Sequence, residues 1–254
     1  MGYNKIIRSN NTLEVYTYEK PLPIRPRQRR VRKDRDDVSG MDACASDSLR
    51  QEQFEGKRKD NAARASMAFK RLILSNLGGA DLPLLVSFTY NTHQGDIKQG
   101  YKDFSSFIQA MRYKFGKVFR YIAVPEFQKR GAVHFHALFW GLPADIAQTE
   151  RSTRLVAGIW GHGFVDVVLT DGHEKISTYL SKYMAKSFID YRLKNQKAYV
   201  CSRNLKRPEV SAGMNRATLE LIMEELGVAG PPKVDKKYIT AWLGEAHYKV
   251  YTLA

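Results

Sequence analysis

The sequence predicts an α+β fold, an antiparallel sheet with helices packed on one face. Three observations carry that expectation. Four short segments rich in strand formers alternate with segments of helical periodicity, and their order reads β-α-β-β-α-β. Hydrophobic residues make up 43% of the chain and aromatics 11%, enough to bury a core of ordinary size. The 254 residues suit one catalytic domain with extensions.

Residues 1–45 are expected to be a flexible basic arm, because KPLPIRPRQRRVRKDRDD (20–37) mixes prolines with a dense run of arginines and can bury little. Residues 46–254 form the domain, with a core at about 80–205 and a C-terminal extension. A helix opens the domain from Ser46. Ala65, Phe69, Leu72, Ile73 and Leu77 share its buried side, and it stops at Gly78 and Gly79. LLVSFTY (84–90) is a strand, and Phe104, Phe107, Ile108, Met111 and Phe115 then recur at helical spacing. FRYIAVPE (119–126) and AVHFHALFW (132–140) make a β-hairpin around the turn FQKRG. Pro143 can open a helix through 144–159, and 163–169 supplies the fourth strand. The succession is the ferredoxin-like (RRM-like) pattern. Beyond it, 174–188 reads as a helix, 198–202 as a short strand, 215–227 as a helix, and 234–253 as one or two strands.

Charge and cysteine content narrow the function. The chain has 41 Lys and Arg against 26 Asp and Glu, a formal net charge of +15, which favours a polyanionic partner and above all nucleic acid. Cys44 and Cys201 stand far apart, so neither a disulfide framework nor a cysteine zinc site is expected. No apolar run approaches the length of a membrane helix and no secretory signal opens the chain, so no membrane association and a cytoplasmic location are expected. No G-x-x-x-x-G-K-[ST] phosphate loop is present, which removes a motor domain from consideration.

Two constellations could do chemistry. In AVHFHALFW the strand period of two puts His134, His136, Leu138 and Trp140 on one face, and Val133, Phe135, Ala137 and Phe139 on the apolar face that meets the helices. Two imidazoles side by side suit one divalent ion. Glu126, at the end of the partner strand, could add an oxygen that favours Mg²⁺ or Mn²⁺. In YLSKYMAK, Tyr179 and Tyr183 lie one helical turn apart, and Lys182 and Lys186 each follow a tyrosine by three residues. A tyrosine hydroxyl is a poor nucleophile at neutral pH unless a cation or a base assists it, and a metal ion with a neighbouring lysine supplies such assistance. Tyr90, Phe127 and Trp140 are candidates for base stacking, and His162 and His173 flank the fourth strand.

The strand LLVSFTY, then Glu126 eight residues before H-F-H, then YLSKYMAK, together resemble the motifs of HUH endonucleases, specifically the rolling-circle replication initiators of bacterial plasmids and phages. KAYVCSRNLKRPE resembles the stretch that follows the tyrosine helix in such proteins, and the likeness spans roughly Ser46 to Glu209. The resemblance implies His134, His136 and Glu126 as metal ligands, Tyr183 as first nucleophile, Tyr179 as second, and Lys182 and Lys186 as assisting cations. It implies nicking and rejoining of single-stranded origin DNA through a 5′-phosphotyrosyl link, with a separate host or element helicase and a DNA polymerase as partners in the bacterial cytoplasm. A transposase or relaxase of the same chemistry is the nearest alternative. A non-catalytic single-stranded nucleic-acid-binding module is the alternative from another class.

Overall fold

A computed structural model describes residues 3–21, 47–78, 81–143, 149–172, 175–193 and 196–253, with the backbone alone for 47–60, 149 and 188. In chain order the elements are β1 (Tyr3–Ser9), β2 (Thr12–Tyr18), α1 (Asp47–Leu74), β3 (Leu84–Tyr90), α2 (Ile97–Phe115), β4 (Arg120–Phe127), β5 (Val133–Trp140) and α3 (Thr149–Trp160). They continue with β6 (Gly163–Leu169), α4 (Lys175–Ile189), β7 (Val200–Cys201), β8 (Glu209–Met214), α5 (Arg216–Glu225), β9 (Val234–Thr240) and β10 (Gly244–Thr252). The chain divides into two compact units, one of residues 1–61 with 209–254 and one of residues 62–208.

The second unit holds the expected pattern. Its sheet runs β6-β3-β5-β4-β7, so the four predicted strands stand in the order fourth, first, third, second, and every pairing is antiparallel. That order is the ferredoxin-like arrangement, with β7 added at one edge. The two crossover helices lie on one face: Phe104, Phe107, Ile108 and Met111 of α2 and Val156 and Trp160 of α3 pack on Val133, Phe135, Ala137 and Phe139. Phe88 anchors this layer, its ring 4.9 Å from Phe107 and 5.1 Å from Trp160. Asp96 starts α2 by accepting a hydrogen bond from the Lys98 backbone, and Gly116 ends it at φ 69°, where a side chain would be strained. The opposite face is not left open. Phe69, Leu72 and Ile73 of α1, with Leu180 and Met184 of α4, cover Ile122, Val124, Leu138 and Trp140.

The first unit corrects the expected boundary at 45. Residues 3–18, inside the expected arm, form a hairpin, and residues after 208 complete its sheet in the order β8-β1-β2-β10-β9. The physical reason lies in the sequence: YNKIIRS and TLEVYTY are rich in strand formers and meet at Asn10-Asn11, with Asn10 at φ 55°, a conformation asparagine tolerates. Ile6, Leu13, Val15 and Tyr251 then bury against Leu219 of α5. The proline- and arginine-rich part of the arm lies outside the described residues. The tail gives two strands, β9 and β10.

Candidate active site

The register of three strands builds a polar patch from residues that share one face. His134 stands between Thr89 on β3 and Glu126 on β4, and His136 stands between Ser87 and Val124. Ser87 Oγ lies 3.2 Å from His136 Nδ1, and Thr89 Oγ1 lies 3.1 Å from His134 Nδ1. The side-chain nitrogen of Gln128 approaches the same His134 nitrogen at 3.0 Å. These contacts aim both Nε2 atoms away from β3. The two rings are 4.6 Å apart between centroids.

Glu126 links the histidines to α4. One of its oxygens lies 3.0 Å from His136 Nε2, and the other accepts from Lys186 Nζ at 3.1 Å. Burial alone would raise the Glu126 carboxyl, but the hydrogen bonds and charges of His136 and Lys186 hold it below the ordinary carboxylate value. His134 responds in the opposite sense. Burial first, and then the neighbouring His136, push it down to about 4, so this imidazole is neutral at neutral pH, the form that ligates a metal.

Tyr183 closes over the patch. Its ring stacks on His136 at 3.7 Å between centroids, and its hydroxyl donates to the Tyr179 oxygen at 2.9 Å. Lys186 Nζ stands 5.2 Å from the centre of the Tyr183 ring. Burial first, then the Tyr179 hydrogen bond and charge and the charge of Glu126, raise the Tyr183 hydroxyl well above its ordinary value. Tyr179 is 38% exposed, and Lys182 is exposed. The structure therefore brings together Glu126, His134, His136, Tyr179, Tyr183 and Lys186, and leaves Lys182 on the outer side of α4.

The donor set fits a divalent ion in kind: two imidazole nitrogens and one carboxylate from adjacent strands. His134 Nε2 is buried with no hydrogen-bond partner, as a ligand nitrogen would be in the absence of its ion. Among the described residues no three His, Cys, Asp or Glu side chains form a ready-made cage, and Glu126 is paired with Lys186 and His136.

The stacking candidates fare differently. Tyr90 is buried, donating to Asp103 at 2.8 Å, and Trp140 is a core residue. Phe127 is half-buried beneath the Arg192 guanidinium, 4.0 Å from its ring centre. His162 packs against Trp160 and Tyr90, which belong to the layer on the opposite face, and His173 lies outside the described residues.

Sequence reasoning missed Ser87, Thr89, Gln128 and Phe164. Period-two parity was the available signal: Ser87 and Thr89 alternate with the buried Val86 and Phe88, and Gln128 follows Glu126 by two. Phe164 pairs with Thr89 on β6 and so continues the row Glu126–His134–Thr89, yet it is 73% exposed.

Residues 83–188 match the family model described as Replication-associated protein ORF2/G2P, and the matched segment contains every expected catalytic and metal-ligating residue. The match covers 106 of the chain's 254 residues. No curated protein and no solved structure matches the chain. No helix among the described residues is long and apolar enough to cross a membrane.

Proposed function

We propose that the protein is a replication-associated protein, a rolling-circle initiator that nicks and rejoins single-stranded origin DNA by tyrosine attack. One observation carries the reading: the Tyr183–Tyr179 pair is held by ring stacking directly on the His136–Glu126 cluster. Two tyrosine hydroxyls, two imidazoles, a carboxylate and a lysine thus meet within one patch.

In the proposed reaction a tyrosine oxygen attacks the scissile phosphorus in line. The new O–P bond forms as the P–O3′ bond breaks, and the 3′ oxygen takes the departing electron pair and a proton, becoming a free 3′-hydroxyl. The 5′ end stays on the enzyme as a phosphotyrosine. Rejoining reverses these steps and needs no ATP, because the ester bond is conserved. Tyr183 is proposed to attack first. Once the pair loses a proton, the negative charge is shared along the 2.9 Å contact with Tyr179, and Lys186 stands near to balance it. With one tyrosine carrying a strand, the second remains one helical turn away for the next transfer.

Mg²⁺ or Mn²⁺ would be held by His134, His136 and Glu126 and, when bound, would draw charge from a non-bridging phosphate oxygen. Ser87 and Thr89 orient the two imidazoles. Lys186, released from Glu126, would turn to the phosphate, and Lys182 would contact DNA beyond it. Phe164 offers an exposed ring on the same row for a base of the bound strand. A host or element helicase would open the duplex, and a polymerase would extend the 3′ end, in the cytoplasm of the bacterial host.

A non-catalytic stacking module is the weaker reading, because α1 and α4 cover the central strands that an open platform would need. The test is a denaturing gel of protein mixed with end-labelled single strands of the encoding replicon. Label that travels with the protein only when Mn²⁺ is present supports the initiator, and retained binding without any adduct supports the module. A transposase or relaxase would form the same adduct, but on the ends of a mobile element or a transfer origin.

A further inference from the structure

On the other face of the second unit's sheet lies a cleft of about 650 Å³ that the nicking chemistry does not use. Its walls carry Arg112 from the last turn of α2, Lys117 from the turn that follows, and Arg203 from the segment after β7. All three are exposed, and no carboxylate lines the cleft. None of the three makes a salt bridge among the described residues. The negative end of the α2 dipole accounts for basic residues in its last turn, but Lys117 and Arg203 stand outside that helix. Three like charges gathered from separate segments raise the local potential and await an anion.

The floor is aromatic. The half-buried Tyr121 ring stacks on Phe119 at 6.2 Å with 18° between planes, and the Arg112 guanidinium lies 5.7 Å from the Tyr121 centroid. A lone phosphate would need the cations but not this platform, and the volume is that of a ligand pocket rather than an ion site. Aromatic and guanidinium planes beside free cations are what a nucleotide chain requires, with stacking for the bases and charge for the backbone.

The position of the cleft ties it to the nick. Tyr121 and Glu126 are on β4, five residues apart, so they lie about 17 Å from each other along the strand, and their odd spacing points them to opposite faces. β7 forms the sheet edge beside β4 and is only two residues long. The described chain after α4 itself rounds this edge, with Arg192 on the Phe127 ring and Leu193 in the core of the far face, so a DNA strand leaving Glu126 would pass outside that segment to reach the cleft.

We propose that the cleft lined by Arg112, Lys117, Tyr121 and Arg203 binds a single-stranded segment of the same DNA, flanking the nick, on the far face of the sheet. The choice of DNA rests on the initiator reading above.

Asn204 lines the cleft and is exposed, so a thiol introduced there reports on its occupancy. In the full chain carrying Cys44→Ser, Cys201→Ser and Asn204→Cys, the introduced thiol is the only one, and its rate of labelling by N-ethylmaleimide can be followed with and without a thymidine oligonucleotide. The oligonucleotide should slow labelling severalfold, and inorganic phosphate at matched charge should not. The added double substitution Lys117→Glu and Arg203→Glu should abolish this protection and reduce the salt dependence of binding by about 1.4 in log K per log salt, two phosphate contacts' worth. Adduct formation on an oligonucleotide that covers only the scissile site should be unchanged in the double variant. Equal protection by phosphate, or protection that survives the double substitution, overturns the proposal. Protection without any tyrosine adduct leaves the cleft standing and removes the nicking reading, whereas adducts without protection do the reverse.

Discussion

The hydroxyl of Tyr183 donates to the oxygen of Tyr179 at 2.9 Å while its ring lies on His136, so one side chain joins the tyrosine pair to the histidine strand. Tyr183→Phe keeps the ring and should change stability by no more than the roughly 1 kcal/mol of one hydrogen bond. It should lower adduct formation by roughly 10³-fold or more, as loss of a nucleophile does. Tyr183→Ala should also destabilise the unit, by about 1 kcal/mol for the lost ring pair alone. Thermal melts read beside adduct yield separate the two effects.

Metal binding should be visible without DNA. Mn²⁺ at 100 times its dissociation constant should stabilise the protein by about 2.7 kcal/mol, read as a rise in melting temperature, and His136→Ala should remove that rise. Ser87→Ala takes away the hydroxyl contact at His136 Nδ1, and Thr89→Val takes away one of the two contacts at His134 Nδ1, that of Gln128 remaining. Each should weaken Mn²⁺ binding about 10- to 100-fold in calorimetry, although neither side chain is a ligand.

Phe164→Ala removes an exposed side chain, so the fold should be unaffected within about 0.5 kcal/mol. Binding of a single-stranded oligonucleotide should fall by about 1–3 kcal/mol, the worth of one stacked base. An unchanged affinity in fluorescence anisotropy would remove Phe164 from the DNA path.

Alkaline stability tests the core. Tyr90 is raised above the ordinary phenol value by burial first, and then by the hydrogen bond to Asp103 and the charge of that carboxylate. The folded state therefore keeps a proton that the unfolded state releases near pH 10. Its contribution is fully present below that pH and is lost as pH rises through the folded value. Tyr90→Phe should cost about 1 kcal/mol at neutral pH and flatten the decline above pH 10, measured by urea unfolding.

The second unit was legible because its signals are periodic. LLVSFTY and VHFHALFW alternate, and Phe104, Phe107, Ile108 and Met111 fall on one helical face, so strand order and the histidine face followed. The arginine run at 25–33 drew the whole N-terminal segment into an arm and hid the strands at 3–18, although Asn10-Asn11 between two strand-rich runs is a hairpin signal. The partners of those strands lie some 200 residues later, at 209–214 and 244–252, a pairing that no local pattern encodes. Parity predicted that His134 and His136 share a face. It could not predict that α4 would settle there with Tyr183 on His136, because that depends on how Leu180 and Met184 pack against Leu138 and Trp140.

Peptide mapping of the DNA adduct tests the central claim most directly. Trypsin cuts after Lys175, Lys182 and Lys186, so Tyr179 and Tyr183 fall in the separate peptides ISTYLSK and YMAK. After reaction with replicon single strands in Mn²⁺ and digestion of the DNA, mass spectrometry should find a nucleotide on YMAK first. On Tyr183→Phe protein any residual nucleotide should be on ISTYLSK. Transfer to ISTYLSK in the wild type would reverse the order of the two tyrosines, and a nucleotide on neither peptide would contradict tyrosine catalysis by α4.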